Sequence, residues 1–363
     1  MPVQGLVRLR RHLFGRQAVF GTKVPATRAY PFKGVPSVEL NWTDPDVDTG
    51  SLDPTVAPHR DIPTLSADLT DDQLAYNNIP LRLSGFFGGD VEPTVVSGDA
   101  LEWLYQPASV TVDPMDAFTY NFGDDVLTDW YQFGDGILES VEFTIPEGLG
   151  PVTVSDTWRF GSVASTGSTD MPADPGVPED LAVDTNPTLV YGKDLSIYIS
   201  SDPDTLAMNQ ILDALHMGVI RFTREIDEKR YANGTQSFDV QAYATATRSI
   251  EFEFTFAKTD DTVGSGSESD AWMSDQAVDR YVRFSFESLV DADTGEPYSW
   301  VTTAPCRYYT RTEGEVGGNT VIVLTGHAFY DPNGLGSGSG AAGVLESTVV
   351  CTLTDAELGE MGS

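Results

Sequence analysis

The side chains that could hold a transition metal are few and widely spaced in this sequence. Four histidines and two cysteines are present: His12, His59, His216, His327, Cys306 and Cys351. None of them has the short His-x-x-x-His or Cys-x-x-Cys spacing that brings two ligands onto one helix face or one turn. Two cysteines are also too few for a disulfide framework, and they fit one disulfide or two free thiols equally well. We therefore predict no zinc or iron centre.

One acidic segment resembles a calcium-binding loop. Asp44, Asp46 and Asp48 alternate with other residues just before Gly50. In a calcium-binding EF-hand loop the glycine stands one position earlier, and the twelfth position is a glutamate rather than Thr55. Carboxylates this close together can still attract a cation, so the three aspartates are a subsidiary candidate. The sequence as a whole predicts no metal site and no cofactor.

Motifs of nucleophilic and phosphate-binding chemistry are missing. The sequence has no Gly-x-Ser-x-Gly elbow, and the glycine-rich segment 334–340 lacks the lysine and the helix of a phosphate-binding loop. With 55 aspartates and glutamates, any fold brings some carboxylates together, and no acid–base pair is singled out. We therefore predict that the protein is not an enzyme.

The charge balance is strongly acidic, with 55 acidic and 21 basic residues and a net charge of −34. Self-repulsion of this size weakens a compact state at ordinary ionic strength, and molar salt screens it to a distance of about 3 Å. Only five of the basic residues are lysines, and a lysine-poor acidic composition resembles proteins of extreme halophiles. An acidic mesophilic protein is the alternative. In either case most of the surface should repel nucleic-acid phosphates.

The first 38 residues have the opposite charge. They contain seven lysines and arginines and no acidic residue. Such asymmetry is typical of an arm with its own partner. We predict that Arg8, Arg10, Arg11 and Arg16 contact the acidic surface of an adjacent subunit, and a disordered tail is the alternative.

Alternating apolar and polar residues predict a mainly β fold. Ile250, Phe252, Phe254 and Phe256 alternate with polar residues, as expected of antiparallel strands with one buried face. The fold class expected from this pattern is an antiparallel β-sandwich or barrel with short flanking helices. Two helices are predicted, one from the spacing of Met208, Ile211, Leu212 and Leu215 and one over Asp270–Val278.

Composition divides the chain into four parts. These are a basic N-terminal arm (1–35), a first β domain (36–160), a linker or exposed loop rich in Pro, Gly and Asp (161–188) and a second β domain (189–363). Similar Asp-Ala-(x-x)-Trp patches at Asp99–Trp103 and Asp270–Trp272 suggest that the second β domain is a duplicate of the first. Chance similarity is the alternative.

The opening of the chain resembles a known family. Residues 14–22 (Phe-Gly-Arg-Gln-Ala-Val-Phe-Gly-Thr), leading to Pro25-Ala26-Thr27-Arg28, are similar to the start of many tail tube proteins of long-tailed viruses. The order strand, Gly/Ser loop, helix and strand over residues 250–286 is similar to that family as well. The resemblance implies an arm leading into a β-sandwich or barrel with one flanking helix. It also implies stacked rings around a β-lined channel for DNA, and no catalytic residues.

The resemblance gives the expected function. It implies a structural virion protein that polymerises into the tail tube of a virus with a halophilic host. The expected partners are further copies of the chain, other tail proteins at the tube ends, and DNA that passes without specific binding. A duplicated tube domain implies rings of three copies with pseudo-sixfold symmetry, whereas one tube domain with an enlarged partner implies six. The expected location is the virion tail, assembled in the host cytoplasm, with no membrane contact.

Two other functions are compatible with the sequence. One is a halophile cell-surface or adhesion domain, favoured by glycosylation-like patterns at Asn41 and Asn233. These two asparagines also fit ordinary strand and turn positions. The twin arginine Arg10-Arg11 is not followed by an uninterrupted apolar stretch, so we predict no signal peptide. An acidic secreted hydrolase is the third function considered.

Overall fold

The computed structural model describes residues 10–18, 20–39, 42–43, 59–60, 64–88, 91–106, 116–124, 129–165, 186–200, 206, 208, 210–211, 215–229, 242–258, 279–328 and 346–358. The strands in this part of the chain are β1 (Arg10–Gln17), β2 (Arg28–Tyr30), β3 (Lys33–Glu39), β4 (Trp42–Thr43), β5 (His59–Arg60), β6 (Thr64–Asp71), β7 (Thr94–Ser97), β8 (Ala100–Tyr105), β9 (Ala117–Asp124), β10 (Asp129–Ile145), β11 (Thr153–Arg159), β12 (Ser162–Ser165), β13 (Leu195–Ser200), β14 (Gln210–Ile211), β15 (Leu215–Lys229), β16 (Ala242–Ala257), β17 (Asp279–Asp293), β18 (Glu296–Val316), β19 (Asn319–Ala328) and β20 (Glu346–Cys351). The helices are α1 (Ile79–Phe87) and α2 (Asp355–Leu358), with 3₁₀ turns at Tyr76–Asn78 and Gly192–Asp194.

The strands form one continuous antiparallel sheet, apart from the separate pair β4–β5. It has three sectors that share two long strands. Sector I has the order β2–β1–β9–β10–β12. Sector II has the order β3–β6–β11–β10–β15–β16–β19–β18. Sector III has the order β14–β13–β17–β18–β20–β8–β7. The predicted mainly β fold is therefore confirmed.

Strand β10 passes from sector I to sector II at Gly134-Asp135-Gly136. Asp135 has a φ of 56°, a left-handed conformation that is uncommon outside glycine, and the register with β9 shifts between Phe133 and Gly136. A side chain at position 136 would meet the Phe160 ring at 2.6 Å, so glycine lets the two segments approach closely. The segment Gly134-Asp135-Gly136 therefore bends β10 at the point where this strand passes from sector I to sector II.

The core lies between the sectors and is largely aromatic. In β16 the side chains of Ile250, Phe252, Phe254 and Phe256 are all buried, which confirms the predicted alternation. They pack in one cluster with side chains from all three sectors. Each fully buried aromatic or aliphatic side chain of this size contributes about 1.5–3 kcal/mol, so this cluster is the main source of stability.

Helix α1 lies inside this core, and all nine of its residues are buried. Its C-terminal carbonyl groups have no partner within the helix, and burial would make that costly. Arg224 of β15 donates from Nη2 to the Gly85 carbonyl at 2.6 Å and from Nη1 to the Phe86 carbonyl at 3.3 Å. Arg248 of β16 donates to the Phe87 carbonyl at 2.9 Å. Two strand arginines therefore replace the water that would solvate an exposed helix end.

The same helix carries a buried ionic cluster. Arg82 is fully buried, and its Nε donates to both carboxylate oxygens of Asp156, at 3.1 and 3.0 Å. Its Nη2 lies 3.4 Å from Asp71 Oδ2. Burial raises the pKa of Asp156 to about 6, although the Arg82 charge opposes the shift. The cluster joins α1 to β6 and β11.

The predicted helix over Met208–Leu215 is wrong at Gln210, Ile211 and Leu215, whereas Met208 is in 3₁₀ conformation. Gln210 and Ile211 form β14, which pairs with β13, and Leu215 begins β15. Ile211 lies opposite Ile197 in the sheet, so tertiary strand pairing overrides the local helical spacing. The second predicted helix, over Asp270–Val278, lies outside the described residues.

The predicted halves of the chain share one sheet and one core. Strand β10 pairs with β15, and β8 pairs with β20, across the predicted boundary at 161–188. Most of that linker, residues 166–185, lies outside the described residues. Residues of the predicted arm also belong to the sheet, since β1 pairs with β9 and with β2. Internal duplication stays a prediction.

Candidate functional surface

Sector II has one face on the core and one face toward solvent, here named the polar face. Along β6 the side chains of Leu65, Ala67 and Leu69 point into the core, and the residues between them point outward. The same period of two holds along β11. Short hydroxyl side chains dominate the outward positions: Thr64, Ser66, Thr70, Thr153, Ser155, Thr157, Ser140, Thr144, Thr223, Ser249 and Thr325. The result is a broad face on which short hydroxyl side chains surround a band of charged ones.

Charged residues lie across the middle of the polar face. One row of directly opposed residues crosses all eight strands: Lys33, Thr70, Ser155, Glu142, Arg221, Glu251, His327 and Arg307. Opposite charges alternate at its centre, an arrangement that stabilises neighbouring strands. The row follows the strand pairing across the middle of the sector, between the bulges that shift the register elsewhere.

Arg221 of β15 is held between two glutamates on the neighbouring strands. Its Nε donates to Glu142 Oε2 at 2.6 Å, and its Nη1 lies 3.6 Å from Glu253 Oε2. The three side chains are about one-third exposed, with fractions of 33%, 41% and 36% for Arg221, Glu142 and Glu253. The hydrogen bond that Arg221 donates to Glu142 raises the pKa of Arg221. This guanidinium is therefore fully charged and already bound to carboxylates.

Arg159, at the end of β11, is held in the same way. Its Nε donates to Glu139 Oε2 at 2.8 Å, and its Nη2 donates to Glu139 Oε1 at 3.4 Å. Glu139 is the extra residue of a β-bulge, because Leu138 lies opposite Trp158 and Ser140 lies opposite Thr157. Bulges redirect side chains. Here the bulge lets Glu139 reach the polar face and pair with Arg159 by two hydrogen bonds.

Both edges of sector II are unpaired among the described strands. At one edge β3 pairs only with β6, and at the other edge Thr310–Val316 of β18 pairs only with β19. Nearly all residues of both segments are exposed or partly exposed, including Val35 at 54% and Val38 at 45%. An exposed strand edge presents free N–H and C=O groups and favours pairing with another chain.

The predicted basic contact residues lie in different environments. Arg8 lies outside the described residues, and Arg10 and Arg11 belong to β1, opposite Asp124 and Gly123. Arg16 is 1% exposed. The prediction that Arg16 contacts an adjacent subunit is therefore wrong, and the predictions for Arg8, Arg10 and Arg11 stay untested.

Arg16 is instead satisfied within the chain. It donates to the Val91 carbonyl at 3.2 Å and to Asp355 Oδ1 of α2 at 3.3 Å, and it lies 3.7 Å from Asp116. The reason is that β1 is covered on both of its faces, since all residues from His12 to Gln17 are buried. A basic sequence segment therefore does not translate into a basic surface at this position.

The subsidiary metal candidate, Asp44, Asp46 and Asp48, lies outside the described residues. Within the part of the chain that the structure describes, no three His, Cys, Asp or Glu side chains are grouped to hold a metal ion. Cys306 and Cys351 are both buried free thiols, and burial raises the pKa of Cys351 to about 12. No helix among the described residues is long and apolar enough to cross a bilayer.

Sequence reasoning missed the two arginine–glutamate pairs. The alternation around Phe143 and Phe222 marks Glu142 and Arg221 as outward-facing, but it does not show that the two strands are neighbours. Glu139 is harder to find, because the bulge that turns it outward is not visible in the alternation. No protein-family model matches the chain, and no curated protein matches it significantly.

Proposed function

We propose that this protein is a tube-forming structural protein of a viral tail, whose copies close into rings through the edges of sector II and stack around a channel for DNA. The observation that carries the proposal is the form of sector II. It is an eight-stranded sheet with a polar face, and within the part of the chain that the structure describes each of its edges is unpaired. Two different edges on one sheet suit head-to-tail association, which closes into a ring when the rotation between copies permits.

The chemistry of the polar face supports a channel lining. Serine and threonine side chains are short, and the arginines at the centre of the face are paired with glutamates, so the face offers few groups that hold a polymer. The acidic side chains of the face, such as Asp68, Glu251 and Glu253, repel phosphates at moderate ionic strength. Molar salt shortens this repulsion to a few ångströms, so the scarcity of groups that hold a polymer matters more in a halophilic host.

The sequence adds independent support. Residues 14–28 resemble the start of tail tube proteins, a family without catalytic residues. The sequence of this chain likewise singles out no candidate catalytic pair. In this proposal the partners are further copies of the chain, tail proteins at the tube ends, and DNA without specific contacts. Three or six copies per ring fit the length of the chain. The proposed location is the virion tail, assembled in the host cytoplasm.

Electron microscopy of the purified protein in molar salt tests the proposal. We expect rings or tubes with a central channel, and their symmetry distinguishes three copies from six. Dispersed monomers at all protein concentrations in molar salt would contradict the proposal and favour the alternative of a cell-surface β domain.

A pair of edge variants tests which strands associate. Lysines on an edge strand oppose pairing with another chain, so Val35→Lys together with Val38→Lys should give folded monomers without rings. The matched control is Val95→Lys with Val96→Lys on β7, an exposed edge of sector III where the two valines are 69% and 41% exposed. Rings should persist in the control. Loss of rings in the control alone would move the interface to β7.

A further inference from the structure

On the polar face, Arg159 and Arg221 are each paired with a glutamate, although a surface that DNA passes could use them to bind phosphates. Arg159 uses Nε and Nη2 on the two oxygens of Glu139. Arg221 uses Nε on Glu142, and its Nη1 lies toward Glu253. Nε and Nη2 of Arg159 form one edge of the guanidinium, the edge that can bind two phosphate oxygens at once, and in Arg221 two separate edges each face a glutamate. Each arginine thus already holds a carboxylate where a phosphate oxygen would bind.

These ion pairs are partly exposed to solvent, so they can affect what binds the face more than they affect the stability of the fold. The side chains of Arg159 and Glu139 are 32% and 28% exposed, so a polymer that lies on the face can reach them. Pairs exposed to this degree stabilise a fold only slightly. An arginine without its glutamate would be a strong phosphate contact, because protein–DNA hydrogen bonds go largely to the phosphates.

The strand register and a β-bulge place the two glutamates beside the two arginines. Glu142 lies directly opposite Arg221 in the register of β10 and β15. Glu139 reaches Arg159 only because of the bulge between Leu138 and Ser140. Both glutamates come from β10, which also turns from sector I into sector II, so one rigid strand sets both pairs.

We propose that Glu139 and Glu142 prevent Arg159 and Arg221 from binding nucleic-acid phosphates, which limits DNA contacts at the centre of the polar face. The proposal rests on the proposed function, since it assigns a role to the face that would line the channel. The arginines in turn reduce repulsion among the glutamates of adjacent strands, so this part of the face keeps its strand pairing while neither guanidinium is available to DNA.

The test is the affinity of the monomeric protein for a short duplex DNA, measured by fluorescence anisotropy. It uses the lowest salt concentration at which circular dichroism shows the native β spectrum. Wild type should not bind measurably. Glu139→Gln with Glu142→Gln should bind, and the logarithm of its association constant should fall with the logarithm of salt concentration with a slope of about −1 to −2. Arg159 then supplies a full phosphate contact, and Arg221 supplies a weaker one because Glu253 still lies 3.6 Å from its Nη1.

Two controls separate released arginines from a general change of charge. Glu287→Gln with Glu296→Gln removes the same charge from sector III and should leave DNA unbound. Adding Arg159→Gln and Arg221→Gln to the glutamate variant should abolish the new binding. The proposal is overturned if the glutamate variant, with its native spectrum, binds DNA no better than the sector III control.

The outcomes distinguish this proposal from the proposed function. If the glutamate variant binds DNA but the wild-type protein forms no rings in electron microscopy, the role of the glutamates is supported and the tube is contradicted. Rings in electron microscopy without DNA binding by the glutamate variant would support the tube and contradict the role of the glutamates.

Discussion

The buried helix α1 and the polar face of sector II both depend on arginine, in opposite ways. Arg82 and Arg224 have no solvent contact of consequence, and every acceptor near them is part of the fold. Arg159 and Arg221 lie at the surface and pair with glutamates that water could replace. The first kind of pairing is required by burial, because an unpaired ion in the core is costly. The second kind is not required for folding, so it can serve the properties of a surface.

The largest expected effect is the loss of the charge at Arg82. Arg82→Met leaves Asp71 and Asp156 buried without a counter-ion, and we expect the free energy of unfolding to fall by about 3–5 kcal/mol. Urea unfolding in molar salt measures it. Adding Asp71→Asn and Asp156→Asn should recover most of the loss, because no buried carboxylate is then left unpaired. A loss below about 1 kcal/mol in the single variant would contradict the structural role of the cluster.

A smaller effect is expected at the C-terminal end of α1. Arg224→Met removes the donor to the carbonyls of Leu138, Gly85 and Phe86. Each buried acceptor left without a donor costs about 1–3 kcal/mol, and partial entry of water should hold the total near 3 kcal/mol. Hydrogen exchange should accelerate at the amides of α1. The part-exposed Arg283, which donates to Thr303 Oγ1 at 3.2 Å, provides the control Arg283→Met, which should leave α1 unchanged.

The buried cluster should also make stability depend on pH. The pKa of Asp156 is about 6 in the fold and 3.8 as its ordinary value, so between these values the folded state binds more protons than the unfolded state. Stability from this group is therefore full below pH 4, falls as pH rises, and is lost above pH 6, by on the order of 3 kcal/mol. Asp156→Asn should remove this part of the slope in urea unfolding from pH 4 to 7. An unchanged slope would show that Asp156 stays ionised.

The sequence predicts the strands better than it predicts their neighbours. The alternation at Ile250–Phe256 is a local signal, and it is confirmed. Helix α1 was not predicted, because Ile79–Phe87 is short and contains Pro80 and Gly85, two residue types with low helix propensity. Its arginine partners come from β15 and β16, more than a hundred residues away, and no local pattern records such contacts. The arginine–glutamate pairs need the strand register, which is likewise a property of the whole sheet.

The smallest expected effect is at Arg159 and Arg221, and it separates the exposed pairs from the buried ones most clearly. Arg159→Gln and Arg221→Gln, each alone, should change the free energy of unfolding by less than about 1 kcal/mol, because their pairs are exposed and screened. In molar salt the change should be smaller still, since the screening length is about 3 Å. Urea unfolding at two salt concentrations measures both values, with Arg82→Met as the buried reference. If Arg221→Gln cost as much as Arg82→Met, the pairs on the polar face would be structural, and their glutamates would need no role toward DNA.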